Sequence, residues 1–171
     1  MKVLITGATG YLGAHVAARL VAAGHTVLAL ARPGKEAAVP PGCHPVTGDV
    51  LDPPSIERAL PGCDALVHMA ALVRMWVRDA RDFDRVNVEG LAAALRAAER
   101  QGVGLILYTS TIAALGPTGP EARDESCGRT EFNFRTEYER SKWTAERLAV
   151  ERAEGGLPVV IVYPGVVYGP G

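Results

Sequence analysis

The sequence is poor in side-chain amides and in lysine. Asn87, Gln101 and Asn133 are its only amides, and Lys2, Lys35 and Lys142 its only lysines among 18 basic residues. The net charge is −1 and no block of Lys or Arg occurs, which removes the electrostatic case for a nucleic-acid partner. Cysteine is scarce too: Cys43, Cys63 and Cys127 are odd in number and lack paired ligand spacing. That argues against a disulfide framework or a cysteine-held metal, so free thiols in a reducing compartment and no metal are expected. No apolar run approaches the ~20 residues that span a bilayer. Val3-Leu4-Ile5 stops at Thr6-Gly7, too short for the core of a signal peptide. The expectation is a soluble cytoplasmic protein without a membrane partner.

What the sequence does contain is a regular alternation. A length of 171 residues suits one domain, 1–171, with a substantial core. Lys2–Thr6 is a short apolar run ending at glycine, as a buried parallel strand does. Tyr11–Ala23 is rich in Ala and Leu and is closed by Gly24, which predicts a helix with a glycine stop. Further strands are predicted at Thr26–Ala31, near Cys43–Thr47, at Ala65–Met69, at Val103–Tyr108 and at Pro158–Tyr163. Helices are predicted at Pro53–Leu60, from Phe83 to Gln101 with Val88, Leu91, Ala92 and Leu95 as the apolar face, and at Glu137–Glu154. Gly116–Arg129 reads as a loop, and Tyr168-Gly169-Pro170-Gly171 is loop-like. Strands alternating with helices predict an α/β fold with a doubly wound parallel sheet, and right-handed crossovers give the order 3-2-1-4-5-6.

Gly7, Gly10 and Gly13 fall between the first strand and the first helix. Glycines there permit a tight turn and close approach of backbone to a pyrophosphate, while the helix N-terminus offers N–H donors. The expected ligand is therefore a dinucleotide. The second strand ends in Ala31-Arg32, with Lys35 close by and Glu36 further on. A guanidinium suits a 2′-phosphate, whereas an acidic residue at this place suits a ribose 2′-hydroxyl. NADP(H) is favoured, with NAD(H) as the alternative.

Tyr138 and Lys142 stand four residues apart within the predicted helix Glu137–Glu154. One turn separates them, so both side chains lie on one face. A phenol beside an ammonium is a proton donor and acceptor whose ionised form the positive charge favours.

With Gly7/Gly10/Gly13, Arg32, Asp49-Val50, His68-Met69-Ala70-Ala71, Asn87 and Tyr138/Lys142 in this order, the chain resembles the extended short-chain dehydrogenase/reductase family. Ala70-Ala71-Leu72-Val73 followed by Trp76, Asn87-Val88-Glu89-Gly90, Tyr108-Thr109-Ser110-Thr111 and Tyr138-Glu139-Arg140-Ser141-Lys142 look closest to its dihydroflavonol-4-reductase-like branch. The resemblance implies a Rossmann-type fold and an NAD(P)-dependent reductase or dehydrogenase of a small-molecule carbonyl or alcohol. Nucleotide-sugar epimerase or dehydratase chemistry, and a cofactor-binding regulator, are the alternatives. Implied catalytic residues are Thr111, Tyr138 and Lys142. Implied cofactor contacts, besides the glycines and Arg32, are Tyr11, Leu12, Asp49 and Val50 at the adenine, Met69, Ala70, Ala71, Asn87, Tyr138, Lys142, Pro164 and Val166. Asn87 is expected to orient backbone or water near Lys142, and His68 to be a core histidine. Tyr163 stands where many members carry Arg before the residues matching Pro164-Gly165, which favours the reductase-like branch. The family's C-terminal substrate region has no counterpart after Gly171, so a domain truncated after the sixth strand is expected. A homodimer through the two long helices is also implied.

Overall fold

The computed structural model describes every residue except 118, 119, 121, 123, 126, 127, 130–132, 170 and 171. Cys127 and the last two residues of the C-terminal loop segment therefore lie outside the described residues, as does part of the Gly116–Arg129 loop. Six strands pair in parallel in the order β3-β2-β1-β4-β5-β6. They are β1 Lys2–Thr6, β2 Thr26–Ala31, β3 His44–Thr47, β4 Ala65–His68, β5 Leu105–Thr109 and β6 Val159–Val162. The helices are α1 Tyr11–Ala22, α2 Pro53–Ala59, α3 Arg81–Asp84, α4 Gly90–Arg100, α5 Ile112–Leu115 and α6 Glu137–Glu154, with a 3-10 turn at Glu36–Ala38. A π-helical turn, Arg85–Glu89, joins α3 to α4.

Strand alternation divides the core in two. Val3 and Ile5 of β1 point to one face with Val27, Ala29 and Val67, where Ala17 of α1 packs. Leu4 points to the other face with Leu66, Ile106 and Tyr108, under Ile56 of α2, Leu91 and Leu95 of α4, and Ala145 and Ala149 of α6. Burial on both faces is what a parallel sheet requires, and it accounts for the near-continuous apolar runs of its strands.

The strand order reverses between β1 and β4, which pair with each other and turn outward to β2 and β5. In such sheets the carboxyl ends at the reversal form a crevice. Thr6 and His68 face each other across it in register.

Several boundaries differ from expectation for local reasons. Val103 does not begin β5, because its N–H closes the end of α4 on Ala98 O at 3.0 Å. Pro158 precedes β6, contributing only a carbonyl that accepts from Ile106 N–H at 2.8 Å. The long helix begins at Arg81, two residues before the expected Phe83, and carries the unexpected π turn. The buried face of α4 centres on Leu91, Ala94, Leu95 and Ala98, while Val88 and Ala92 sit at its margin.

Candidate active site

The glycine loop shows which glycines the fold itself demands. Gly7 has φ +80°, and a Cβ there would lie 2.7 Å from the backbone of Met69 and Ala70. At Gly13 a Cβ would press on Gly7 and come within 3.1 Å of Ala8 Cα. Both substitutions collide with backbone, so these two positions are set by the turn and by helix packing. Gly10 is different. Its backbone is extended (φ −89°, ψ 166°), and an added Cβ would meet only Gly7 O, at 3.3 Å. Gly10 is exposed, and no side chain caps α1. Its missing side chain leaves a smooth backbone beside uncapped helix N–H groups, the surface a pyrophosphate needs. These residues fit a dinucleotide. Gly10→Val is accordingly expected to keep the thermal transition nearly unchanged while weakening NADPH binding by at least roughly tenfold. Gly13→Val is expected to lower the melting temperature itself. Calorimetry and fluorescence titration separate the two results.

Thr6 organises the strand ends on the far side of this loop. Its Oγ1 accepts from Met69 N–H at 3.3 Å and Ala70 N–H at 3.2 Å, and it lies 3.1 Å from His68 Nδ1. With those lone pairs engaged, the Thr6 hydroxyl donates to Nδ1, which leaves the proton on Nε2. Burial, aided by the charge of Lys142, lowers the His68 pKa to about 3, so the ring is neutral. Its Nε2 has no partner among the described residues. The expected core histidine is thus satisfied at one nitrogen only.

The adenosine side is a row of strand ends. Arg32 is exposed directly after β2, and its carbonyl accepts from Lys35 N–H at 2.9 Å in a turn completed by Gly34 (φ +77°). Glu36, the nearby acid, instead accepts from Thr47 Oγ1 at 2.9 Å. Asp49 Oδ1 accepts from Leu51 N–H at 2.9 Å, which makes it a turn aspartate with its second oxygen uncommitted among the described residues. Val50 is buried in the core, where its Cγ2 would lie 3.1 Å from a Cβ on Gly90. Tyr11 and Leu12 begin α1, with the Tyr11 ring edge-on to His15. Met69, Ala70 and Ala71 follow β4 directly and are half-buried. After β6, Pro164 O accepts from Ile112 N–H at 3.2 Å, and Val166 is exposed.

The groups on β5, α5 and α6 converge in a specific way. Burial raises the Tyr138 pKa, partly opposed by the nearby Thr111 hydroxyl. Lys142 is buried. Its Nζ donates to Tyr108 Oη at 2.9 Å and to Thr109 O at 2.8 Å, and sits 4.6 Å from the Tyr108 ring centre. Burial lowers its pKa to about 7. Lys142 is thus held by β5, one helical turn from Tyr138 on α6. Asn87, buried in the π turn, accepts from Leu72 N–H at 2.7 Å and donates to Leu72 O at 3.3 Å and Ser141 Oγ at 2.9 Å. It braces the segment after β4 against α6, one residue from Lys142. π-turns of this kind recur at functional sites.

Tyr108 and Ser141 were not singled out by sequence reasoning as partners in this network. The period-two alternation of β5 carries the missed signal, since Ile106 and Tyr108 must share the face that α6 covers. Tyr163 Oη donates to Glu146 Oε1 at 3.1 Å, pinning the end of β6 to α6. A cavity of about 700 Å³ opens beside Thr111, lined also by Ile112, Phe134, Arg129, Gly165 and Val166. Among the described residues no helix is long and apolar enough to cross a membrane.

With the glycine turn, the reversed sheet and the Tyr/Lys/Thr group in place, the chain belongs to the NAD-dependent epimerase/dehydratase family, whose model matches residues 3–171. Among its relatives is sterol demethylase protein B of Methylococcus capsulatus, 36% identical over 99% of this chain and 52% of the relative. A Synechocystis relative named for dihydroflavonol 4-reductase is 34% identical over 97% of this chain and 49% of its own. A UDP-glucose 4-epimerase of Thermus thermophilus solved in complex with NAD is 30% identical and superposes with a TM-score of 0.84, covering 99% of this chain and 57% of that one. The chain spans about half the length of the curated relatives it matches.

Proposed function

We propose that the protein transfers hydride between NADP(H) and the carbonyl or carbinol carbon of a small-molecule substrate. The observation that carries the reading is that α6 sets Tyr138 and Lys142 one turn apart, with Lys142 held by β5 and the Thr111 hydroxyl beside the phenol. When bound, the nicotinamide supplies or accepts the hydride. Tyr138 gives its phenolic proton to the substrate oxygen in the reductive direction and takes it back in the other. Because burial raises its pKa, the phenol is the resting acid at neutral pH, which suits carbonyl reduction. The Thr111 hydroxyl faces the same oxygen and stabilises the charge that develops there. Lys142, with a pKa near 7, is poised to gain a proton as negative charge enters the site. It then supports both the nicotinamide ribose and the phenolate.

Asp49, the backbone at Val50, the small Ala70 and Ala71, and Gly10 form the bed for the adenosine and pyrophosphate. Arg32 is our basis for preferring the 2′-phosphate, with Glu36 engaged by Thr47 rather than free to meet a ribose hydroxyl. Arg32→Asp is expected to weaken NADPH by about tenfold or more and NADH little, as befits the loss of a paired charge-assisted contact. Equal losses would remove the 2′-phosphate assignment.

The resemblance to epimerases supports a second reading, in which the same Tyr and Lys serve a transient hydride transfer. Loss of reduced-cofactor absorbance during turnover selects the reductase. Conversion of a nucleotide sugar without net cofactor change selects the epimerase. A regulator that only senses cofactor has no need of Tyr138, Thr111 and Lys142. A homodimer through α4 and α6 completes the reading and is checked by light scattering.

A further inference from the structure

We propose that Arg129 and Glu139 are positioning residues: one ion pair locks the Thr111 turn to the Tyr138 turn and so sets how the hydroxyl and the phenol face each other. The inference rests on the proposed function only for what that placement is for.

Arg129 reaches both elements at once. Its Nη1 donates to Ala113 O at 3.2 Å, and its Nη2 lies 2.9 Å from Glu139 Oε1. Ala113 belongs to α5, whose N-cap is Thr111; Thr111 Oγ1 accepts from Ala113 N–H at 3.3 Å. A bond to Ala113 O therefore fixes the turn that aims the Thr111 hydroxyl. Glu139 follows Tyr138 directly. Its Oε2 accepts from Arg135 N–H at 2.7 Å, and its own N–H donates to Thr136 Oγ1 at 3.1 Å. Glu139 thereby fixes the first turn of α6, which presents the phenol.

The surroundings are shaped to this guanidinium. The Arg129 side chain is 1% exposed and that of Glu139 is 14% exposed. The guanidinium lies 4.4 Å over the Phe134 ring. Gly116 adopts φ +88°, and a Cβ there would come within 2.9 Å of Arg129 Cγ. A buried ion pair contributes little net stability, because desolvation offsets its attraction. Its planar, forked donors are suited instead to holding two acceptors in a fixed relation.

The test places 3-fluorotyrosine at position 138 and follows its ¹⁹F titration in the purified protein. Arg129→Met with Glu139→Gln removes the two charges of the pair together, so the net charge is unchanged. Tyr108 and Lys142, the titratable groups of β5 and α6 that share the phenol's surroundings, stay intact, as does the Phe83 ring of α3 that packs edge-on against it. Thr111→Val gives the reference shift, upward, because it removes the hydroxyl that favours the ionised phenol. The paired variant is expected to shift the midpoint upward by a similar amount, and adding Thr111→Val to it is expected to shift it no further. An unchanged midpoint in the folded pair variant, or shifts that add in the combination, overturns the proposal. Should the pair variant not fold, Glu139→Gln alone must move the ¹⁹F resonance in the direction of Thr111→Val, and an unmoved resonance overturns it equally. Neither readout uses turnover, so failure here is distinct from failure of the hydride-transfer reading.

Discussion

Tyr138→Phe is expected to lower turnover by at least about 10²–10⁴-fold, the contribution of a positioned proton donor, while NADPH affinity stays within about twofold. The substitution deletes one oxygen and preserves the rest. The ring keeps its edge contact with Phe83, whose centroid is 6.5 Å away. The helix keeps its Thr136 cap and its Asn87 to Ser141 brace, since neither involves the phenol. What disappears is the hydroxyl beside Thr111 that would donate to a substrate oxygen. Binding titration alongside single-turnover kinetics reads both quantities on one sample. Turnover that survives would take Tyr138 out of the chemistry.

Lys142→Met is expected to abolish turnover and to stabilise the fold near neutral pH. Lys142 has a folded-state pKa near 7 against an ordinary value of 10.5. Between those values the unfolded chain binds the proton and the folded chain does not, so the stability of the wild type rises with pH across that window. Below pH 7 the full penalty of burying the ammonium applies. Methionine carries no such penalty, at the loss of two hydrogen bonds to Tyr108 and Thr109 worth about 1 kcal/mol each. The variant should therefore exceed the wild type by about 1–3 kcal/mol at pH 6, with the gap closing toward pH 10. Denaturant unfolding at several pH values checks this. A variant less stable than the wild type at every pH would mean that the ammonium is a net stabiliser in its bonds to β5. A charge kept at a cost in stability is the usual mark of a functional group.

The sheet order and the span of α6 were legible because they rest on local signals. Thr136 caps α6, glycines at 155 and 156 close it, and the apolar runs of β1 and β2 stop at turn residues. The glycine turn was legible in kind, but the sequence could not say that Gly7 and Gly13 answer to packing and Gly10 to open space. For Gly7 that depends on Met69 and Ala70, more than fifty residues away, and for Gly13 on how the turn folds Gly7 and Ala8 against α1. The π turn was illegible for the same reason: Asn87 meets Leu72 and Ser141 only in three dimensions. The short α5, four residues long, has too few positions to show a period. Helical spacing placed Tyr138 and Lys142 on one face correctly. It could not show that Tyr108 and Thr109 hold the ammonium, or that Arg129 spans the two turns, because neither contact lies within one element.

The family's residues thus appear as two connected layers. Thr6, the glycines and the strand ends form one; β5, α5 and α6, with Thr111, Tyr138 and Lys142, form the other. The central claim is that the chemistry done there is net hydride transfer to a substrate carbon. The most direct measurement supplies NADPH deuterated on both faces at nicotinamide C4, with ketone and aldehyde substrates and, separately, nucleotide sugars. The account predicts oxidised cofactor and a carbinol carbon carrying one deuterium, absent from the Tyr138→Phe variant. Product that carries no deuterium, or that forms while all the cofactor remains reduced, would contradict it.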